Sequence, residues 1–487
     1  MKRELVIGKY TLESLTNGMY ASPLDMYREY IQNAVDSFDE AITAGIESTE
    51  KLAIDILIDK DKKSIIIRDN GCGIKKCEAE RTLLDIGNSQ KSRITLRGFR
   101  GIGRLAGLSY CEKLSFRTSY MGEDVVTIIE FDAALLKELL LSDTRESVTV
   151  EDVMDRVVTI TREKEAEGKR YFQVELNGVW AEAGLIDNEC VESYLVQHSP
   201  LYYSTDFKWG RTIIEKMRLN GFAVPQYKIR LNGKELFKPY QDSFVSDRVK
   251  RNTDYIRDVK IQTFYRRKKL SAVLWYAETN FYGTIIDNAI KGLRIRQGNI
   301  LIGDKSSCSH LFKEERFNGW MIGELHIIDS DLIVNSRRDG FEKNTAYYEL
   351  LSSLKEWAFD VSKEIRHLSY ERNLSDTKQA VIEADSIDDI SDENDLYSED
   401  LSYAEDYGES SAIDLDESME LAETDFISKL DMLINQKKAH TKYTILNISD
   451  KFSAEQKKTL ERVFDLIIRE YSTEEATKFV NLIAKRF

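Results

Sequence analysis

Three side chains near the start of this chain are of types that hold water, metal or a nucleotide: Glu29, Asn33 and Asp36. Their spacing of i, i+4 and i+7 puts them on one face of a helix of about 3.6 residues per turn. Ile31, Ala34, Val35 and Phe38 take the other face. A carboxylate there can take a proton from water and an amide oxygen suits a hard cation, although the same pattern describes a solvated helix surface. A second cluster runs from Ser64 to Ile74, where a β-branched apolar run ends in Asp69, followed by Gly71 and Gly73. It predicts a buried strand feeding a tight loop. A carboxylate at that strand end can accept from the exocyclic amine of a base, and the glycines let backbone approach a planar ring; an ordinary Asp-Asn-Gly turn would also look like this. The third cluster, Gly98-Phe99-Arg100-Gly101-Ile102-Gly103, precedes an apolar-periodic segment from Leu105 to Tyr110. Glycine-rich backbone opening a helix can cradle phosphate, yet a lone G-x-x-G-x-G is common in plain turns.

The elements that must position these residues follow from local pattern. Lys51 to Asp59 alternates apolar and polar, and Lys62 to Arg68 follows after a charged turn, which predicts an antiparallel pair carrying Asp69. Residues 87–103 are rich in Gly, Lys and Arg without an apolar face, the composition of a lid. Lys113 to Thr118, Val125 to Phe131, Val158 to Thr161 and Arg170 to Leu176 read as strands and Glu151 to Val157 as a helix, giving an α/β sandwich over residues 1–204. A second α/β unit, 205–372, has strands at Tyr227 to Leu231, Val259 to Arg266 and Leu270 to Tyr276 and a helix at Tyr347 to Arg366. It also contains a basic stretch, Lys291 to Arg296, and the polar loop Asp331-Leu332-Ile333-Val334-Asn335-Ser336-Arg337-Arg338-Asp339. Arginines in such a loop can be plain surface charges.

Beyond these, 373–425 reads as an acidic linker that cannot offset the entropy of ordering. In 426–487, Ser453-Ala454-Glu455-Gln456 and Ser472-Thr473-Glu474-Glu475 fit capping boxes. They open two amphipathic stripes, a helical hairpin too small to stand alone, which should dock on the body, a second copy or a partner. The 487 residues carry a formal charge of −15, but segment 379–425 alone contributes −18 through 18 Asp or Glu and no Lys or Arg. The remainder is near neutral at +3, so charge does not forbid nucleic-acid contact. Five cysteines without C-x-x-C pairs indicate neither a zinc site nor a disulfide framework. With no long apolar run and no signal-type start, the sequence predicts a soluble cytoplasmic protein without a membrane span.

The ordered clusters resemble the Bergerat-type (GHKL) ATP-binding fold shared by gyrase B, the ninety-kilodalton heat-shock chaperones, MutL-type mismatch-repair proteins, MORC proteins and histidine kinases. Among these the chain is most similar to the heat-shock chaperone branch. The motif R-E-L-I-S-N-A-x-D-A falls without gaps on Arg28 to Ser37, D-x-G-x-G on Asp69 to Gly73, G-T-I-A-K-S on Gly87 to Ser92, and G-x-F-G-V-G on Gly98 to Gly103. The middle-domain motif D-L-P-L-N-I-S-R-E matches at Asp331, Leu332, Asn335, Arg338 and, conservatively, Asp339. The resemblance implies ATP and Mg²⁺ as cofactors. It makes Glu29 the general base, Asn33 the Mg²⁺ ligand, and Asp69 the adenine acceptor with Asp36, Gly71 and Gly73 beside it. Asn88, Lys91, Ser92, Gly98, Gly101, Ile102 and Gly103 become the phosphate-holding lid, and Arg338 a cation supplied to the γ-phosphate by the second unit. In that family a threonine of a late strand also touches nucleotide; Gly168 to Phe172 stands there without one, so no residue is assigned. The acidic segment and C-terminal hairpin show no similarity to the chaperones' dimerisation domain.

Three function classes follow. A histidine kinase needs a phosphoacceptor histidine ahead of its nucleotide domain, and none precedes His198. A DNA clamp of MutL or MORC type would use Lys291 to Arg296 to grip a backbone. The middle-domain match favours a slow, conformationally gated ATPase acting as a switch on a protein partner or client, with a homodimer and a place in prokaryotic genome defence as further implications of the resemblance.

Overall fold

The computed structural model describes residues 22–85, 103–141, 149–247, 251–335 and 337–385. Helix α1 (Asp25–Thr43) leads into the antiparallel strands β1 (Ala53–Asp59) and β2 (Ser64–Asp69), with Ile54 opposite Asp69. The chain continues through α2 (Ala79–Leu84), a 3-10 turn at Gly103–Ser109, β3 (Lys113–Ser119), β4 (Val125–Asp132), α3 (Ala133–Leu141) and α4 (Val150–Val157). Next come β5 (Val158–Lys164), β6 (Tyr171–Asn177), α5 (Asn188–His198), α6 (Trp209–Leu219), β7 (Lys228–Leu231) and β8 (Lys234–Glu235). These strands form one sheet in the order β5-β4-β3-β6-β2-β1-β7-β8. One apolar core joins Ile54, Ile56, Ile65, Ile67, Phe116 and Val174 to Tyr27, Ile31, Val35 and Phe38 of α1. The result is an α/β sandwich.

Alternation along β2 explains how the sheet presents Asp69. Ile65, Ile67 and Asp69 share the buried, core-facing side, while the Arg68 side chain points away, exposed. The carboxylate is therefore the last member of an apolar row. Strand β7, which local pattern assigned to the second unit, instead lies parallel to β1 in this first sheet. The Asn232 N–H donates to Ile56 O at 2.8 Å, and Arg230 Nε pairs with Asp55 at 2.6 Å. The Leu105 to Tyr110 segment forms a 3-10 turn rather than an α-helix.

The second sheet follows a two-stranded ribbon, β9 (Ser243–Ser246) and β10 (Asn252–Tyr255). It is built from β11 (Asp258–Arg266), β12 (Lys269–Glu278), β13 (Gly292–Gln297), β14 (Ile300–Ile302) and β15 (Ile322–Ile327), ordered β11-β12-β15-β13-β14. The two faces of β12 enter different cores: Ala272 and Leu274 pack with Trp357 and Ala358, and Val273 and Trp275 with Ile213 and Met217 of α6. The former pair belongs to α7 (Thr345–Asp385), which runs past Arg366 into the stretch read as an acidic linker. Ala380, Glu383 and Ala384 are good helix formers, so acidity alone does not end it.

The two arginines of the basic stretch Lys291 to Arg296 are interior, contrary to the expectation of a gripping surface, and Lys291 is half-buried. Arg294 and Arg296, each 1% exposed, lie on one face of β13. Arg294 donates to the carbonyls of Lys291, Gly292, Asn288 and Ala289. Arg296 Nε meets Glu324 at 2.5 Å. Glu324 also takes Lys238 Nζ at 2.7 Å, Tyr240 Oη at 3.0 Å and Trp275 Nε1 at 3.3 Å. Burial holds Lys238 down to about 7, against the pull of the carboxylate. Among the described residues, no helix is long and apolar enough to cross a membrane. The lid at 87–102, the linker from 386 and the hairpin at 426–487 lie outside the described residues.

Candidate functional site

Helix α1 carries its polar residues inward. Glu29 is 5% exposed, Asp36 is 0% exposed and Asn33 is half-buried, so this face is not a solvated surface. Glu29, Asn33 and Ser37 follow one another at i+4, a line that rises about 12 Å along one side of the helix. Its two ends meet different partners.

At the Ser37 end lies the Asp69 loop. The Gly71 N–H donates to Asp69 Oδ1 at 2.9 Å, and the Cys72 N–H donates to Ser37 Oγ at 2.9 Å. A Cβ on Gly71 would stand 2.3 Å from Ser37 Oγ, so glycine lets this loop close on α1. Gly73 has φ +68, and a Cβ there would stand 2.0 Å from the Ser119 carbonyl oxygen. The next residue, Ile74, donates its N–H to Thr118 Oγ1 at 2.8 Å. Burial pushes the Asp69 carboxyl up to about 7, although the Gly71 N–H favours its charged form. Across the sheet from Asp69 stands Phe172 of β6 and then Thr118 of β3. The threonine missing from Gly168 to Phe172 thus has a hydroxyl neighbour one strand over.

At the Glu29 end stands Arg338, brought 309 residues along the chain. Its Nε lies 2.6 Å from Glu29 Oε1, and its Nη2 donates to Oε2 at 3.2 Å. Gly103, where the glycine-rich segment ends, is close enough that a Cβ would stand 2.2 Å from Oε2. The loop between β15 and α7 is fixed at both ends. Arg266 of β11 takes Asp329 at 2.6 Å and also pairs with Asp331, while Asn344 Nδ2 donates to Asp331 O at 2.7 Å. Within the loop Asn335 Nδ2 donates to Asp339 Oδ1 at 2.5 Å, and the Gly303 N–H donates to Arg338 O at 3.0 Å. Arg338 itself has φ +57, a conformation costly for a residue with a Cβ and held here by those bonds.

The structure therefore brings Glu29, Gly103 and Arg338 together at one end of α1, and Asp69, Gly71 and Gly73 at the other. Asn33 lies between them. Asn88, Lys91, Ser92, Gly98, Gly101 and Ile102 lie outside the described residues. Among the described residues no group of three or more His, Cys, Asp or Glu could hold a metal. Ser37 was not singled out in the sequence, although the i+4 step from Asn33 leads straight to it.

Residues 26–156 match the family model described as histidine kinase-, DNA gyrase B-, and HSP90-like ATPase. The chaperone protein HtpG of Rickettsia rickettsii is 29% identical over 167 residues, 30% of this chain and 26% of that protein. HtpG of Acinetobacter baylyi is 30% identical over 129 residues, 23% of this chain and 20% of its own length. HtpG of Streptomyces coelicolor is 26% identical over 132 residues, 26% and 21% of the two chains. The chain thus matches about a quarter or less of the length of these relatives. The Arg338 loop lies outside the segment matched by the family model.

Proposed function

Because residues 26–156 form a GHKL-type ATPase domain near the HtpG branch, we propose that this chain binds ATP with Mg²⁺ and hydrolyses it slowly, lid and domain closure gating the step. The observation that carries the reading is the Arg338–Glu29 pair, which joins the second sheet's loop to the face of α1 expected to do the chemistry. On this reading Glu29 takes the proton from the attacking water. Asp69 accepts from the adenine amine in the space that Gly71 and Gly73 leave, and Asp36 of α1 belongs to the same nucleotide site. Asn88, Lys91, Ser92, Gly98, Gly101, Ile102 and Gly103 hold the phosphates. The distance along α1 from Ser37 to Glu29 suits a nucleotide laid with its base at one end and its γ-phosphate at the other.

The donor set fits Mg²⁺, which binds through one or two protein oxygens plus phosphates and water. Asn33, half-buried midway along that face, would supply the protein oxygen. Bound there, the ion would neutralise phosphate charge. Arg338 and Glu29 neutralise each other where they pair. A γ-phosphate is a competing anion for the guanidinium, so its arrival frees the carboxylate for water and turns Arg338 toward charge that develops in the transition state. Hydrolysis then depends on how the second sheet seats against α1, which is a conformational switch.

The partner we propose is a client protein or a second copy of the chain, and the partial likeness to HtpG supports it. A defence setting rests on the resemblance alone. With Arg294 and Arg296 inside the second sheet, the DNA-clamp reading loses the patch it relied on. The test is ATP affinity and phosphate release for Glu29→Ala. Affinity within a few-fold of wild type with turnover down roughly 10²-fold is expected, and near wild-type turnover would remove Glu29 from the role.

A further inference from the structure

Glu29 has a second cationic neighbour. Arg28 is 5% exposed, and its Nε lies 4.0 Å from Glu29 Oε1. Its Nη1 lies closer, at 3.2 Å, to Asp25 Oδ1, and its Nη2 donates to Arg337 O at 3.5 Å. Asp25 is itself held. The Tyr194 hydroxyl of α5 donates to Oδ1 at 2.8 Å, and the Ser22 N–H donates to Oδ2 at 3.3 Å. Tyr194 in turn stacks on His198 with ring centroids 3.8 Å apart. The C-terminal end of α5 is tied to the second sheet, since Arg296 Nη2 donates to Gln197 O at 2.8 Å. Buried charges thus alternate from Asp25 to Arg28 to Glu29, with the half-buried Arg338 beyond.

We infer that Asp25 and Tyr194 are positioning residues that hold the Arg28 guanidinium off Glu29. The inference rests on the reading of Glu29 as the base. A buried guanidinium without its carboxylate is costly and moves to the next anion. For Arg28 that anion is Glu29, already the nearer end of a 4.0 Å gap. A Glu29 paired with Arg28 would stay occupied after Arg338 turned to the phosphate, and would be a poor acceptor for a proton from water. Asp25 keeps that from happening. Because Tyr194 sits on the helix that Arg296 clamps, the arrangement also depends on the seating of the second sheet.

The test is steady-state hydrolysis and ATP affinity of the full chain. Asp25→Asn should lower kcat about fivefold or more while KM stays within about twofold. Adding Arg28→Leu to it should restore most of the lost kcat, because the competing cation is gone. Tyr194→Phe should give a smaller loss of the same kind. A wild-type kcat in Asp25→Asn, or a loss that Arg28→Leu does not repair, overturns the inference, the second result marking Asp25 as merely structural. Glu29→Gln is measured alongside. If it turns over ATP normally, the base reading falls and this inference with it; if it is inactive while Asp25→Asn is unaffected, the positioning role alone fails.

Discussion

Replacing Asp69 with Asn should stabilise the protein while removing its nucleotide. Burial raises the Asp69 carboxyl from 3.8 to about 7. A shift of about three units is worth on the order of 4 kcal/mol at about 1.4 kcal/mol each, which is the ceiling on the cost of ionising this group in the folded state. Asn removes that cost. It also places an NH₂ where an oxygen stood, and an unmet amide returns about 1–3 kcal/mol, so a net gain of about 1–3 kcal/mol is expected above pH 7. Between about pH 4 and 7 the native state holds a proton that the unfolded chain has released. The stabilisation from neutral Asp69 is therefore complete below about 4 and lost as pH rises through about 7. The advantage of the variant should appear at pH 8 and shrink toward pH 5. Thermal unfolding of both proteins at the two pH values measures it, and added ATP and Mg²⁺ should raise the transition of wild type far more than that of the variant. On the reading that Asp69 takes the adenine amine, its ionised form is the stronger acceptor, so wild-type ATP affinity should also improve as pH rises through about 7. A variant no more stable than wild type at pH 8 would show that ionised Asp69 costs the fold nothing, and one that ATP protects equally well would remove Asp69 from nucleotide binding.

Other expectations follow from single contacts. Gly73→Ala would put a Cβ 2.0 Å from the Ser119 carbonyl at φ +68, so it should abolish ATP binding in calorimetry while Gly168→Ala, with open space around it and no positive φ, should bind normally. Glu324→Leu leaves Lys238 and Arg296 buried without their carboxylate, and chemical denaturation should show a loss of about 3–5 kcal/mol. Arg266→Ala releases Asp329 and Asp331; phosphate release should slow severalfold with ATP affinity retained, because only the Arg338 loop is loosened.

What could be read from the sequence was whatever local period controls. The alternation through Ile65, Ile67 and Asp69 determines which side of β2 the carboxylate faces, and the i+4 steps of α1 align Glu29 with Asn33. Sheet membership is not local. Nothing within Lys228–Leu231 says that it will pair with β1 rather than with later strands. The burial of Arg294 and Arg296 is equally hidden, since the groups that make it tolerable are backbone carbonyls and a glutamate on β15. A run of arginines looks like surface until its partners are placed. Asp25 and Tyr194 were missed for the same reason, as 169 residues separate them. Arg338 was reachable only through a family motif, because a loop arginine with φ +57 has no periodicity to announce it.

Arg338, carried on the loop after β15, is proposed to complete an ATPase site on α1. The most direct test of that role is hydrolysis by Arg338→Ala beside Arg337→Ala, with ATP affinity measured for both. Arg337 exposes its side chain and meets Arg28 through its backbone carbonyl, which alanine keeps. Arg338→Ala should hold ATP within a few-fold of wild type while turnover falls by about tenfold or more, and Arg337→Ala should stay near wild type. Unchanged turnover in Arg338→Ala, or a loss confined to Arg337→Ala, would contradict that role.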